Sequence, residues 1–295
     1  MRTFSGAWPA LLTPLTTQDT VSVSVLRGLT DYLIDRGVSG FYVCGGTGQG
    51  VHLSVAERKL VVEQVVEQVN GRLPVITHVG SQVLGDAIEL ASHAQTAGAD
   101  GISSIIPAGY TDIETVSQYF GAVAGAVPDI PFLPYLFTSS FDPVGLMRAI
   151  KDVPNLAGTK YTGPNMYQFR QILEEGGGSW SVFSGMDEQC VFAAMLGSCG
   201  NIGSTLNAIP GIYQKMHASC HAGDPLLGRD LQLQANRVTE TLFRFGFPGA
   251  LRAATAMLGY DCGPPRLPAQ PLPDDQRQPL ESQLESVGFS EIASM

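Results

Sequence analysis

The chain has little of what would tie it to a metal, a membrane or a polyanion. Its five cysteines (Cys44, Cys190, Cys199, Cys220 and Cys262) are odd in number and widely spaced, with no C-x-x-C pair and no Cys/His cluster at ligand spacing. That pattern offers neither a disulfide framework nor a zinc site, and it reads as reduced, mostly buried thiols. No run reaches the ~18 apolar residues that span a bilayer. Met1-Arg2-Thr3-Phe4-Ser5-Gly6 enters a strand pattern without the apolar core of a signal peptide, so the expectation is a soluble, cytoplasmic protein without membrane contact. Basic residues are scarce: 17 Lys and Arg stand against 27 Asp and Glu, a formal charge of −10. Such a balance repels phosphate backbones and argues against nucleic acid as a partner, so any anionic substrate must be held by local donors. Charged residues make up only 15% against 44% hydrophobic, which leaves no composition for long disordered tracts and enough for a large core.

A chain of 295 residues has length for two average domains, but α/β barrels hold such a length in one core. Short apolar runs alternate with amphipathic stretches, beginning with Gly6 to Leu12 and a helix over 23–36 that repeats Leu26, Leu29, Leu33 and Ile34. Strand patterns follow at Phe41–Val43, Leu73–His78, Gly101–Ile106, Ile130–Tyr135, Asn155–Lys160, Trp180–Ser184 and Ser198–Ile202. Ser54 with Glu57 and Thr111 with Glu114 predict capping boxes, Pro164 suits a first helical turn, and Gly176-Gly177-Gly178 stops a helix. A further helix is predicted over 187–196. Eight β-then-α units are the number that closes a parallel barrel. A doubly wound open sheet competes, but it usually has fewer strands and a Gly-rich loop after the first, where this chain has Ala10-Leu11-Leu12-Thr13-Pro14. The prediction is an α/β fold, a (β/α)8 TIM barrel over 1–222, with a C-terminal helical extension over 223–295 packed on it. The extension holds helices near 224–245, 249–259 and 278–287 and a Pro-rich strap from Gly263 to Pro273.

Chemistry in such a barrel sits at the C-terminal ends of the strands. Gly46-Thr47-Gly48, Tyr135, Lys160, Gly185-Met186-Asp187-Glu188 and Gly203-Ser204-Thr205 all fall there. Lys160 ends a buried-strand pattern with no acidic neighbour. In a closed apolar space its pKa falls from about 10.4 toward the range where an uncharged amine attacks a carbonyl. A lysine that merely ends a surface strand fits the same pattern. Tyr135 alone reads equally as core or rim, a G-x-G turn signals only a turn, and Asp187 and Glu188 also suit a helix N-terminus. His78 reads as a satisfied core histidine and Cys44 as packing.

At these residues the chain resembles the pyruvate-dependent class I aldolase family that contains N-acetylneuraminate lyase and dihydrodipicolinate synthase. The likeness is carried by Leu12-Thr13-Pro14, Gly46-Thr47-Gly48-Gln49, His78-Val79-Gly80, Pro134-Tyr135, Gly158-Thr159-Lys160 and Gly203-Ser204-Thr205, and it runs through almost the whole chain. Met186-Asp187-Glu188-Gln189, Gly200 to Asn207 and Gly263-Pro264-Pro265-Arg266-Leu267-Pro268 look most like the animal-type lyases. The resemblance implies that Lys160 forms a Schiff base with a 2-oxo acid, with no metal and no other cofactor, and that Tyr135 relays a proton. Thr47 and the N–H groups of Thr47 and Gly48 would hold the pyruvyl carboxylate. Thr162, Asp187, Glu188 and Ser204 match the positions that bind the polyol tail of sialic acid, with Gly185 beside them. A homo-oligomer, tetramer or dimer, is implied as well.

Three departures accompany it. Gly46 stands where most relatives carry a hydroxyl, a loss of about 0.5–1.5 kcal/mol in pyruvate binding. Leu136-Phe137-Thr138-Ser139-Ser140 has no arginine where the synthase binds a second carboxylate. Pro107-Ala108-Gly109-Tyr110 puts glycine at the position of a tyrosine that bacterial members lend across a subunit interface, so that Tyr110 would join the relay only by a shifted loop. The expected activity is a pyruvate-linked lyase on a 2-oxo sugar acid, N-acetylneuraminate first. A 2-keto-3-deoxy sugar-acid aldolase or dehydratase, a synthase-like enzyme and a non-catalytic sugar-acid sensor are the alternatives.

Overall fold

The computed structural model of the protein describes residues 3–137 and 141–295, and within them the short buried runs become eight parallel strands. These are β1 (Gly6–Pro9), β2 (Phe41–Val43), β3 (Val75–His78), β4 (Gly101–Ile105), β5 (Phe132–Phe137), β6 (Gly158–Thr162), β7 (Ser181–Ser184) and β8 (Gly200–Gly203). They pair in the order β1-β8-β7-β6-β5-β4-β3-β2. Among the described residues the ends of that series meet through the bridge of Ala10 with Tyr42, where the Leu11 N–H donates to the Tyr42 carbonyl at 2.9 Å, and through the Ser39 N–H, which donates to the Ala7 carbonyl at 2.9 Å. The result is a (β/α)8 barrel. The first strand ends at Pro9, short of the apolar run Gly6 to Leu12, although the Ala10 N–H still donates to the Gly203 carbonyl at 2.8 Å.

Helices α1 (Val23–Asp35), α2 (Val55–Val69), α3 (Leu84–Ala97), α4 (Ile113–Gly125), α5 (Pro143–Ala149), α6 (Met166–Gly176), α7 (Cys190–Met195) and α8 (Pro210–His221) follow the strands in turn. Each lays an apolar stripe on the sheet, as α1 does with Leu26, Leu29 and Leu33. The capping box of α2 forms in both directions between Ser54 and Glu57. The expected box at Thr111 does not: Asp112 caps α4, accepting from the Thr115 N–H at 2.7 Å, because its carboxylate is the stronger acceptor for that donor. Asn165 caps α6, so Pro164 precedes the helix rather than opening it. The stretch over 187–196 splits into a 3₁₀ turn, Asp187–Gln189, and α7.

The largest shift is at β6. Asn155 is not in the strand, since its buried side-chain amide donates to the carbonyls of Ala124, Val127 and Ile130 at 3.0–3.1 Å and ties the end of α4 to the barrel floor. The strand starts at Gly158, where an added Cβ would lie 2.0 Å from the Ser181 carbonyl oxygen. Lys160 is therefore in the middle of β6 rather than at its tip, and Tyr135 is the fourth of six residues in β5.

Inside the ring, Phe4, Trp8, Ile76, Leu133, Phe183 and Ile202 fill the floor. The C-terminal helices α9 (Pro225–Arg244), α10 (Phe247–Met257), α11 (Arg277–Ser286) and α12 (Phe289–Ala293) bury Leu242, Leu251, Leu280 and Phe289 in one cluster with Leu29 of α1 and Met216 of α8. Each such side chain contributes about 1.5–3 kcal/mol on burial. The sequence pattern did not anticipate α12, a five-residue helix too short for a periodic signal. Among the described residues no helix is long and apolar enough to cross a membrane, and no group of His, Cys, Asp or Glu is placed to hold a metal ion.

Candidate active site

In-register pairing sets Lys160 of β6 directly beside Tyr135 of β5, both aimed at the C-terminal mouth. Lys160 is 5% exposed, and its Nζ lies 4.3 Å from the centroid of the Tyr135 ring and 4.8 Å from that of Tyr42. Burial pulls its pKa down to about 8 against the opposing pull of the Asp187 charge. At pH 7 about one amine in ten is then uncharged, against fewer than one in a thousand for a free lysine. Burial raises the pKa of the Tyr135 phenol, while the Thr162 hydroxyl lowers it in part. The Thr162 Oγ1 is itself buried with no well-formed hydrogen bond.

The loop after β2 supplies the donors. Cys44 and Gln49 bracket it in the left-handed region (φ 58° and 53°), a strained pair that turns the backbone back on itself. The N–H groups of Gln49 and Gly50 fold inward onto the carbonyls of Gly46 and Gly45 at 3.0 Å, while those of Thr47 and Gly48 meet no acceptor among the described residues. Gly48 backs onto the segment after the first strand so closely that a Cβ would fall 2.6 Å from the Leu11 carbonyl oxygen. A Cβ on Gly46 would meet nothing within 4 Å. Thr47 Oγ1 and Ser204 Oγ, from opposite sides of the barrel seam, are 2.6 Å apart.

A cavity of about 490 Å³ opens above these groups, and Thr47, Tyr135, Lys160, Thr162, Gly185 and Ser204 line it. Asp187 and Glu188, expected to meet the substrate tail, do not line it. The Asp187 carboxylate accepts from the Thr205 N–H and hydroxyl at 2.9 and 2.7 Å and packs against Gly203, where a Cβ would be 1.5 Å from its Oδ1. Burial raises the Asp187 pKa and the Thr205 bonds lower it again in part. Glu188 is half-buried, and burial and the neighbouring Asp187 both raise its pKa. Tyr110 is 53% exposed and does not line the cavity. Of the segment Leu136 to Ser140, which has no arginine for a second carboxylate, residues 138–140 lie outside the described residues.

His78 borders the cavity, and its Nε2 accepts from the Ile105 N–H at 3.0 Å, which fixes a neutral Nδ1–H ring. Burial holds its pKa well below the usual value, with Arg58 and Lys160 adding to the effect.

Sequence reasoning missed four supporting residues. Tyr42 forms the other wall of the lysine slot and hydrogen-bonds Ser103 at 2.9 Å. Arg58 holds the tip of β3 through the His78 and Gly80 carbonyls at 2.6 and 3.0 Å. Arg252 of α10 reaches the carbonyls of Cys262 and Thr13 at 2.5 and 3.0 Å and the Gln49 side chain at 3.3 Å. Arg266 forms a two-pronged pair with Glu57 at 2.6 and 3.0 Å and meets Asp19 at 2.7 Å, latching the Pro-rich strap to the mouth. The bond from Arg266, with help from Ser54, pulls the Glu57 pKa down to about 2. Glu57 carried a sequence signal only as a cap, and the contacts of Arg58, Arg252 and Arg266 join segments too far apart for local patterns to reveal.

A (β/α)8 barrel that buries a low-pKa lysine against two phenols, beside a loop of free backbone donors, has the frame of a class I, imine-forming carbon–carbon lyase. The chain belongs to the dihydrodipicolinate synthetase family, whose profile matches residues 3–287. It is 31% identical to the N-acetylneuraminate lyase of Danio rerio over 296 residues, 96% of each chain. It is 30% identical to the 4-hydroxy-tetrahydrodipicolinate synthase of Thermoanaerobacter sp. (strain X514) over 299 residues, all of both. The structure of the Proteus mirabilis N-acetylneuraminate lyase superposes with a TM-score of 0.93 at 30% identity, covering 98% of this chain and 100% of that one.

Proposed function

We propose that the chain is a Schiff-base-forming, pyruvate-linked lyase that cleaves N-acetylneuraminate to pyruvate and N-acetylmannosamine. The observation that carries this reading is the buried Lys160, its pKa drawn to about 8, in register with Tyr135. The uncharged Lys160 amine adds to the C2 carbonyl of the 2-oxo acid and expels water, and the protonated imine accepts the electron pair of the C3–C4 bond as it breaks. Tyr135 takes the proton of the C4 hydroxyl as that carbon becomes an aldehyde carbonyl. Thr47 and the free N–H groups of Thr47 and Gly48 hold the carboxylate, which needs local donors in a chain of charge −10. Thr162, Gly185 and Ser204 meet the sugar tail, and Asp187 and Glu188 support that wall. No metal or separate cofactor enters, because the imine itself is the electron sink.

We assign residues 1–222 to the catalytic barrel and 223–295 to the helical extension, which lends Phe247 and Leu251 to the cavity. A cytoplasmic homo-oligomer, tetramer or dimer, belongs to the same reading and rests on the family resemblance. The second reading, a 2-keto-3-deoxy sugar-acid aldolase or dehydratase or a synthase-like enzyme, shares Lys160 and Tyr135, and the full-length likeness to a synthase favours keeping it. Assays across N-acetylneuraminate, 2-keto-3-deoxygluconate and aspartate semialdehyde separate these. Borohydride reduction with pyruvate, read by intact mass, tests the chemistry: an adduct lost in Lys160→Ala supports it and excludes a non-catalytic sensor, and no adduct in the native protein refutes it.

A further inference from the structure

The turn after β8 ties the Asp187 carboxylate to the loop after β2. Its Ser204 lines the cavity, and the Ser204 Oγ lies 2.6 Å from the Thr47 Oγ1. A hydroxyl pair at that distance fixes both rotors, so the place of Ser204 sets the place of the Thr47 hydroxyl. The turn is in its own right held from Asp187, whose Oδ2 takes both the N–H and the hydroxyl of Thr205, the residue next to Ser204. The other carboxylate oxygen faces the Asn201 amide at 3.5 Å. The Thr205 hydroxyl also meets the Tyr213 phenol at 2.8 Å, and the Asn207 amide donates to the Ser204 and Ala10 carbonyls at 2.8 Å. Asp187, Asn201, Thr205 and Asn207 are all buried. Buried bonds to a carboxylate are among the stronger kind and hold a backbone segment to one geometry. Since Asp187 does not line the cavity, it acts on a substrate through what it holds.

Granted the lyase reading, in which Thr47 meets the substrate carboxylate, we infer that Asp187 is a positioning residue for the acid end of the substrate. Through Thr205 and Ser204 it holds the Thr47 hydroxyl where the carboxylate of the 2-oxo acid arrives. Pyruvate separates this role from that of a ligand for the sugar tail, because pyruvate has the acid end and no tail. Loss of a tail ligand leaves pyruvate binding unchanged. Loss of the brace weakens it while sparing the chemistry that follows, so that half-saturation moves and the saturated rate does not.

The test follows borohydride trapping of the full chain against pyruvate concentration, with thermal melting alongside. Asp187→Asn and Thr205→Val are each expected to raise the half-saturating pyruvate concentration about three- to tenfold, the worth of one hydrogen bond. Thr205→Val keeps the Asp187 carboxylate and with it the charge that acts on Lys160, so its trapping rate at saturating pyruvate should stay within about twofold of native. Thr205→Ser retains the hydroxyl and should restore native half-saturation. Ser204→Ala breaks the contact with Thr47 directly and should match Asp187→Asn, and the double variant should be less than about twofold worse than either, as for two positions on one chain of contacts. If Asp187→Asn does not fold, Thr205→Val against Thr205→Ser decides alone. Half-saturation unmoved by Thr205→Val, or equal loss in Thr205→Val and Thr205→Ser, or full additivity in the double variant, overturns this inference and leaves the lyase standing. Absence of trapping in the native protein overturns both.

Discussion

A lysine buried where its ammonium form is disfavoured is a stability liability that the fold sustains for reactivity. Because burial depresses the Lys160 pKa to about 8, the folded chain binds fewer protons than the unfolded one between about pH 8 and 10.4. The penalty is thus fully present below pH 8 and fades as pH rises toward the unfolded value. Lys160→Met is expected to abolish the pyruvate adduct yet raise stability at pH 7, by at most on the order of 3 kcal/mol, measured by urea unfolding. In the native protein, imine formation should fall about tenfold per pH unit below 8, read from borohydride trapping rates. Gly46 offers the opposite exchange. Its position opens on empty space, so Gly46→Ser should fold normally and lower the pyruvate dissociation constant by roughly two- to tenfold, one neutral hydrogen bond; an unchanged constant removes the idea that the missing hydroxyl weakens binding.

At the scale of elements, the strands were legible and their ends were not. Phe41–Val43 stands where its apolar pattern put it, because a fully buried parallel strand must be apolar on both faces. β6 slid by three residues at its start because Asn155, flanked by apolar residues, satisfies carbonyls from another unit, a bond that alternation of residue types does not encode. One residue in sequence separates Asp112 from Thr111, and both are acceptable caps between which only geometry chooses. Asn155 should matter more than a loop residue normally does. Asn155→Ala leaves three carbonyls without their donor in a buried place and is expected to cost roughly 2–4 kcal/mol, lowering the melting temperature; a change below about 0.5 kcal/mol would mean that water takes the amide's place.

For the molecule as a whole, the count of eight β-then-α units was readable and so was the position of most of the cavity floor, because barrel topology sends every strand end to one face. The wall beyond it was not. Phe247, Leu251, Arg252 and Pro268 come from the extension, and nothing local in those segments announces that they reach back to the mouth. The latch from Arg266 to Glu57 and Asp19 is what holds the strap there. Since Glu57 is held near a pKa of about 2, its contribution to stability is complete above its ordinary value of 4.5 and disappears as pH falls toward 2. Arg266→Ala should make the strap cleavable by protease at neutral pH, and acid near pH 2 should do the same to the native protein. Equal resistance of variant and native chains would show that the prolines and the Gln49 bonds to the backbone of Arg266 fix the strap without the latch.

The hoop of strands is fastened least where its first and second members meet, at the bridge between Ala10 and Tyr42 and the bond from the Ser39 N–H to the Ala7 carbonyl. Counting round the ring, the Tyr135–Lys160 pair lies diametrically across from that clasp. Warming that loosens the clasp reaches the neighbouring Gly46–Gln49 turn first, so the enzyme should lose its grip on the acid end of its substrate while the amine and phenol still keep their spacing.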